Sequence, residues 1–195
     1  MAHKNLARLK IFVDQFTQLA DQQMSEAEIL QQGSVLLKNL ILNDDWLPDD
    51  CAQPHPKFYQ QYLLYADPAS RFSVVSFVWG PGQVTPVHNH TVWGLVGVLR
   101  GAEYAQGYKV TGGNLTADGD AIKMVPGDVE AVSPTVGDLH KVKNAFDNKV
   151  SISIHVYGAN IGTVNRSVFL EDGTQKAFIS GYTNTTPPNL EWFLS

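Results

Sequence analysis

The spacing of apolar residues changes period once along the chain. In the first quarter Leu6, Leu9, Phe12, Val13, Phe16 and Leu19 recur at steps of three and four, which places them on one face of an amphipathic helix. Ser25-Glu26-Ala27-Glu28 has the capping-box pattern, in which a serine and a glutamate three residues apart satisfy each other's backbone N–H groups. It predicts a second helix ending near Gly33. A third is expected after Ser34, with Val35, Leu36, Leu40 and Ile41 on one face. Proline and aspartate crowd 48–56, which predicts a loop. From Arg71 onward the pattern turns to short β-branched runs punctuated by glycine, at 72–78, 91–99, 104–110, 121–125 and 150–157. Many short strands with glycine turns imply a closed β-sheet. The expected fold is therefore mainly β, a barrel over about 58–180 with a layer of short helices, about 1–45, on one side.

Composition narrows the picture. With 195 residues, 44% of them hydrophobic and no low-complexity linker, the chain is expected to form one domain over 1–195 with a sizeable core. A formal net charge of −5 without a basic stripe argues against a nucleic-acid partner. No stretch approaches the length of an apolar membrane span, and the start Met1-Ala2-His3-Lys4 lacks the apolar core of a signal peptide, so no membrane contact and a cytoplasmic location are expected. The single cysteine, Cys51, excludes an internal disulfide framework and thiolate-rich zinc sites. Any metal must be held by His, Asp or Glu. The oligomeric state is open at this level, with Trp46, Trp192 and Phe193 as candidates for a surface that pairs chains.

The candidate chemistry lies in two glycine-framed runs. One reads Gly82-x5-His88-x-His90-x3-Gly94-x6-Gly101, the other Gly137-x2-His140-x3-Asn144. Alternate residues of a strand share a face, so His88 and His90 can aim two imidazoles at one point, and a paired strand can supply His140 as a third. Zinc, manganese, nickel and iron all accept imidazole. A second constellation, Ser153-x-His155-x-Tyr157, puts three polar side chains on one strand face with Ile152, Ile154 and Val156 on the other. Turned toward a barrel interior, that face must bond to itself or to a ligand, as a relay would. Phe77, Trp79 and Trp93 are expected in the barrel core or a pocket wall, and His3 and His55 have no assigned role.

The histidine runs resemble the two motifs of the cupin barrels, with departures. Gly94 stands where the usual glutamate ligand would be, and Pro134 lies one place early in the second motif. Without that carboxylate, three neutral imidazoles leave a divalent ion its full charge and open positions, which should attract an anionic ligand. Taken with Ser153-x-His155-x-Tyr157 and with Phe77-Val78-Trp79-Gly80-Pro81-Gly82, the chain resembles the thiol dioxygenases over about 59–169. The resemblance implies a jelly-roll-like cupin barrel and one Fe(II) per chain, held by His88, His90 and His140. It implies a small thiol acid and O2 as substrates, both oxygen atoms ending on sulfur as a sulfinate. Tyr157, oriented through His155 and Ser153, would donate a hydrogen bond near bound oxygen or substrate, with His155 outside the metal's ligand set.

Substrate choice turns on two further positions. Mammalian-type cysteine dioxygenases carry a carboxylate-gripping arginine in a segment that resembles Tyr59-Gln60-Gln61-Tyr62-Leu63; the matching residue is Gln61 or Gln60, and glutamine cannot form arginine's bidentate ion pair. The cysteine that those enzymes crosslink to the relay tyrosine falls on Gly94, so Tyr157 is expected unmodified. The bacterial 3-mercaptopropionate dioxygenases resemble the chain more closely, with a glutamine at the first position and an arginine after Ser-His-Tyr that matches Arg166. The implied reaction is 3-mercaptopropionate to 3-sulfinopropionate. The alternatives are cysteine dioxygenase, a cupin metal-dependent isomerase and a non-catalytic cupin that binds a small anion.

Overall fold

The computed structural model describes residues 6–188; His3, Trp192 and Phe193 lie outside the described residues. Helix α1 (Ala7–Ala20) buries Leu9, Phe12, Val13, Phe16 and Leu19, the stripe its spacing predicts. Helix α2 (Glu26–Ile41) opens on a complete capping box: Glu28 Oε2 accepts from the Ser25 N–H at 2.9 Å, and Ser25 Oγ accepts from the Glu28 N–H.

The break expected at Gly33 does not occur, and the second and third predicted helices are one. A Cβ at Gly33 would lie 2.9 Å from Leu95 Cδ1 and 3.0 Å from Phe16 Cε2, so this glycine marks the point where α2 touches both α1 and the barrel. A mid-helix glycine costs about 1 kcal/mol against alanine, which the close approach offsets. The buried face is consequently Leu30, Gly33, Leu37, Leu40 and Ile41, and Val35, expected on it, is 59% exposed. Trp46 is also not a chain-pairing residue. It is fully buried, and its indole N–H donates to the Leu40 carbonyl at 3.2 Å.

The strands follow as β1 (Gln60–Ala66), β2 (Ser73–Trp79), β3 (Val87–His88), β4 (Gly94–Arg100), β5 (Glu103–Thr111), β6 (Asn114–Ala117), β7 (Ile122–Met124), β8 (Val129–Val132), β9 (His140–Asn144), β10 (Ser151–Tyr157), β11 (Arg166–Phe169) and β12 (Gln175–Phe178). One sheet has the order β1-β2-β10-β4-β8; the other has the order β12-β11-β3-β9-β5-β6, with β7 also paired to β5. All pairings are antiparallel. The loop at 48–56 contains one 3-10 turn, Asp49–Cys51. The strand expected from 91 starts only at Gly94, because Thr91 takes a positive φ of 61° and leads a turn.

The helices lie on the outer face of the first sheet. Ile152, Ile154 and Val156 of β10 join Phe16, Leu37 and Ile41 in the main core, and a Cβ at Gly97 of β4 would meet Ile41 Cδ1 at 2.9 Å. Every residue of β10 is buried, so its Ser153, His155 and Tyr157 face can only be the barrel interior. Among the described residues no helix is long and apolar enough to cross a membrane.

The contact at Gly33 predicts that Gly33→Val lowers stability by about 2–3 kcal/mol through overpacking, while Val35→Ala on the exposed face changes it by less than about 0.5 kcal/mol. Urea unfolding midpoints of the two variants check this.

Candidate metal centre

His88 closes β3, and its Cα stands opposite that of His140 at the start of β9. His90 is not on the strand: β3 ends at His88, and His90 is carried by the following turn. The convergence expected from strand alternation is achieved by a carboxylate instead. Asp138 Oδ1 accepts from the His90 backbone N–H at 2.8 Å and meets His90 Nδ1 at 3.0 Å, and Asp138 Oδ2 accepts from the Thr91 N–H at 3.0 Å. The three rings form a triangle with centroids 4.7–5.0 Å apart, and one nitrogen from each lies within 4.8 Å of the other two.

Hydrogen bonds set two of the tautomers. His90 Nδ1 is matched to Asp138 and His88 Nδ1 to the Pro86 carbonyl at 3.1 Å; both are acceptors, so each Nδ1 carries the proton and each Nε2 keeps its lone pair. His90 Nε2 and His140 Nδ1 are buried without a partner. Burial pushes the His88 pKa down to about 4 and holds His90 and His140 well below the ordinary histidine range. Neutral imidazoles with an unpartnered nitrogen are the form a cation requires, so the residues present fit a metal.

Position 94 explains the missing carboxylate. A Cβ there would lie 2.9 Å from Tyr157 Cδ1 and 3.0 Å from Val132 Cγ2; the Tyr157 ring occupies the space that a motif side chain would use, and it stacks on His90 at 5.5 Å. Along β10 the Tyr157 hydroxyl is 2.8 Å from His155 Nδ1, and His155 Nε2 is 2.8 Å from Ser153 Oγ. Both nitrogens of His155 are thereby engaged, and the residue stands outside the triad. Burial lowers the His155 pKa to about 3 and raises that of Tyr157, so both are neutral.

A cavity of about 250 Å³ opens beside the triad, lined by His88, His140, His155, Tyr157, Arg166 and Gln61 together with Tyr59, Phe77, Trp79, Val142, Val168 and Phe178. Gln61 reaches it because it shares a face with Phe77 across the β1–β2 ladder, whereas the Gln60 amide turns back to the Phe58 and Tyr59 carbonyls. Arg166 is 4% exposed. One guanidinium nitrogen donates to Ser180 Oγ at 2.7 Å, the group lies 4.7 Å over the Phe178 ring, and its Nε has no partner. Desolvation pulls its pKa below the usual arginine value. Among the described residues no carboxylate lines the cavity. Trp93 lies outside it, packed on Phe16, and His55 stacks on Phe58 in an exposed loop.

Sequence reasoning missed Asp138, although it has a visible signal, an acid two residues before a candidate ligand.

The architecture, two antiparallel sheets closed around an interior with helices on one of them, is that of a cupin barrel. No family model matches the chain. Among solved structures it is similar to a conserved protein with a double-stranded β-helix domain from Klebsiella pneumoniae (19% identity, 62% of this chain and 95% of that one, TM-score 0.47). It is also similar to an RmlC-like cupin protein from Desulfovibrio desulfuricans (19%, 60% and 96%, 0.44) and to an oxalate oxidase in complex with the substrate analogue glycolate (16%, 63% and 62%, 0.45). All three TM-scores are below 0.5; the strand order and register define the barrel by themselves.

The donor set predicts that His88→Ala, His90→Ala and His140→Ala each remove most bound metal from a folded protein. Asp138→Asn should weaken metal affinity by roughly 10–100-fold, the usual cost of losing an outer partner of a ligating histidine. Metal content by elemental analysis and competition with a chelator measure both.

Proposed function

We propose that this chain is an iron-dependent thiol dioxygenase that adds both atoms of O2 to the sulfur of 3-mercaptopropionate, giving 3-sulfinopropionate. The observation that supports this reading best is one small cavity holding both a three-imidazole site and a buried guanidinium without a carboxylate partner. A buried cation is costly unless paired, so the cavity favours a ligand that brings an anion. His88, His90 and His140 would hold Fe(II), which when bound supplies a centre that acidifies a thiol and brings it together with O2.

The chain's own residues do the rest. Arg166, steadied by Ser180 and Phe178, binds the substrate carboxylate as a planar fork, which sets the thiol end toward the triad. Phe77, Trp79, Val142 and Val168 wall the cavity and exclude water from the reacting groups. Tyr157 presents its hydroxyl as a hydrogen-bond donor, held by His155 and Ser153. The cavity wall supports one of the two thiol acids, because no acid stands among its described lining residues. Cysteine's ammonium would enter without a counter-charge, so the amino-free thiol acid is preferred over cysteine.

Oxygen uptake and sulfinate formation by iron-loaded protein with 3-mercaptopropionate, cysteine and cysteamine test the proposal. The expected order of kcat/KM puts 3-mercaptopropionate first; a preference for cysteine reassigns the enzyme as a cysteine dioxygenase, and no sulfinate from any thiol rejects the class. Arg166→Ala should cost about 10–100-fold in kcat/KM with 3-mercaptopropionate and much less with cysteamine, which has no carboxylate to lose. Arg166→Lys should recover only part of the loss. Tyr157→Phe should lower turnover or the yield of sulfinate per O2 by an amount equivalent to roughly 1.5–3 kcal/mol, with iron content unchanged.

A further inference from the structure

Glu103, the first residue of β5, is fully buried, and neither carboxyl oxygen closes a hydrogen bond. The carboxyl nevertheless lies against the Ser153 hydroxyl and the Trp79 indole N–H, two groups joined at 3.1 Å by the indole donating to Ser153 Oγ. Its register partners are Met124 of β7 and Asn144 of β9. Met124 carries no polar hydrogen. The Asn144 amide is spent on the Trp79, Gly80 and Lys149 carbonyls, on Ser151 and on the Phe146 N–H. Among the described residues no cation acts on the carboxyl. The titratable groups beyond Ser153 are His155 and Tyr157. Glu130 of β8, opposite Val96 of β4 at the edge of the first sheet, carries a further carboxyl on this side and lines a groove that Lys38 also lines.

We propose that Glu103 is the buried end of the Ser153–His155–Tyr157 chain, and that the proton on its carboxyl sets the direction in which every hydrogen bond of that chain runs. A serine hydroxyl donates once and accepts twice, and Ser153 always accepts from Trp79. With Glu103 protonated, its O–H donates to Ser153, Ser153 donates to His155 Nε2, and the proton of the neutral His155 sits on Nδ1 and donates to the Tyr157 oxygen. The Tyr157 hydroxyl hydrogen is then free to point into the cavity. With Glu103 ionised, Ser153 must donate to it. His155 then carries its proton on Nε2 and donates to Ser153, and Tyr157 donates to Nδ1, turned away from the cavity. Both arrangements fill Ser153 completely, and they differ only in one proton and the order of the bonds.

Burial supports the assignment of states. It raises the Glu103 pKa to about 8, so the carboxyl is protonated below that pH and ionised above it, while His155, at about 3, keeps a single ring proton throughout. On the thiol dioxygenase reading, on which this consequence rests, Glu103 is a positioning residue that lets Tyr157 donate at neutral pH and withdraws it in alkali.

The test reads the His155 tautomer. In the full-length chain labelled with ¹⁵N-histidine, with Zn²⁺ added as a diamagnetic ion that accepts imidazole, long-range ¹H–¹⁵N spectra should show the His155 proton moving from Nδ1 to Nε2 as pH rises through about 8. Glu103→Gln should abolish the change, and Glu130→Gln should leave its midpoint in place. If Glu103→Gln does not fold, Ser153→Ala, which cuts the chain between Glu103 and His155, should abolish it instead. A tautomer that stays constant from about pH 6 to about pH 10, a range wide enough to titrate a raised carboxyl, or a midpoint unmoved by Glu103→Gln or Ser153→Ala, overturns the proposal. Iron-loaded wild type should lose sulfinate formation along an alkaline limb near pH 8 that Glu103→Gln flattens. A tautomer change without any thiol oxidation would reject the enzymatic reading and leave the proton chain standing.

Discussion

Everything in this molecule depends on keeping the inner face of β10 dry and satisfied. A buried hydroxyl, imidazole or phenol without a partner costs one to several kcal/mol, and β10 has three in a row, Ser153, His155 and Tyr157. Their mutual spacing of 2.8 Å per link satisfies them as a column. The column stands only because β10 is central in its sheet, between β2 and β4, and because α1 and α2 cover its other face with Phe16, Leu37 and Ile41. The helical layer, remote from the cavity, is thereby part of what holds Tyr157 in place.

The facing sheet brings in the imidazoles and the guanidinium. His88, His140 and Arg166 belong to the adjacent strands β3, β9 and β11, so a continuous ladder sets the distance between a three-nitrogen site and a cation. Desolvation keeps the histidines neutral and leaves Arg166, among the described residues, the one cation lining the cavity. A carboxylate at position 94 would compete with the Tyr157 ring for the same space. The glycine at this position is therefore what lets the tyrosine ring approach His90.

Some of this was legible along the chain. Apolar spacing at steps of three and four marked α1, the Ser25–Glu28 box marked the start of α2, and period-two alternation in β10 separated Ile152, Ile154 and Val156 from the polar column. These are local properties, set by geometry that repeats every turn or every second residue. Gly33 misled for an equally physical reason. A glycine in a helical pattern reads as a stop when only propensity is visible, and the side chains of Leu95 and Phe16 that require it there come from elsewhere in the chain. Seven strands lay outside the expected runs, among them His140-Lys141-Val142-Lys143-Asn144, where charge masks the alternation and pairing with β5 makes the strand.

By itself the sequence determined residue types and short-range order: which imidazoles exist, which three polar groups share a face of β10, and that no glutamate stands at 94. The tertiary structure decided convergence. His90 joins the triad from a turn held by Asp138 and not from a strand; Gln61 and not Gln60 faces the cavity; and Glu103 ends beside Ser153 through the closing of one sheet onto the other. The reason is that periodicity fixes direction within an element, whereas the distance between elements is set by packing and pairing between residues far apart in the chain.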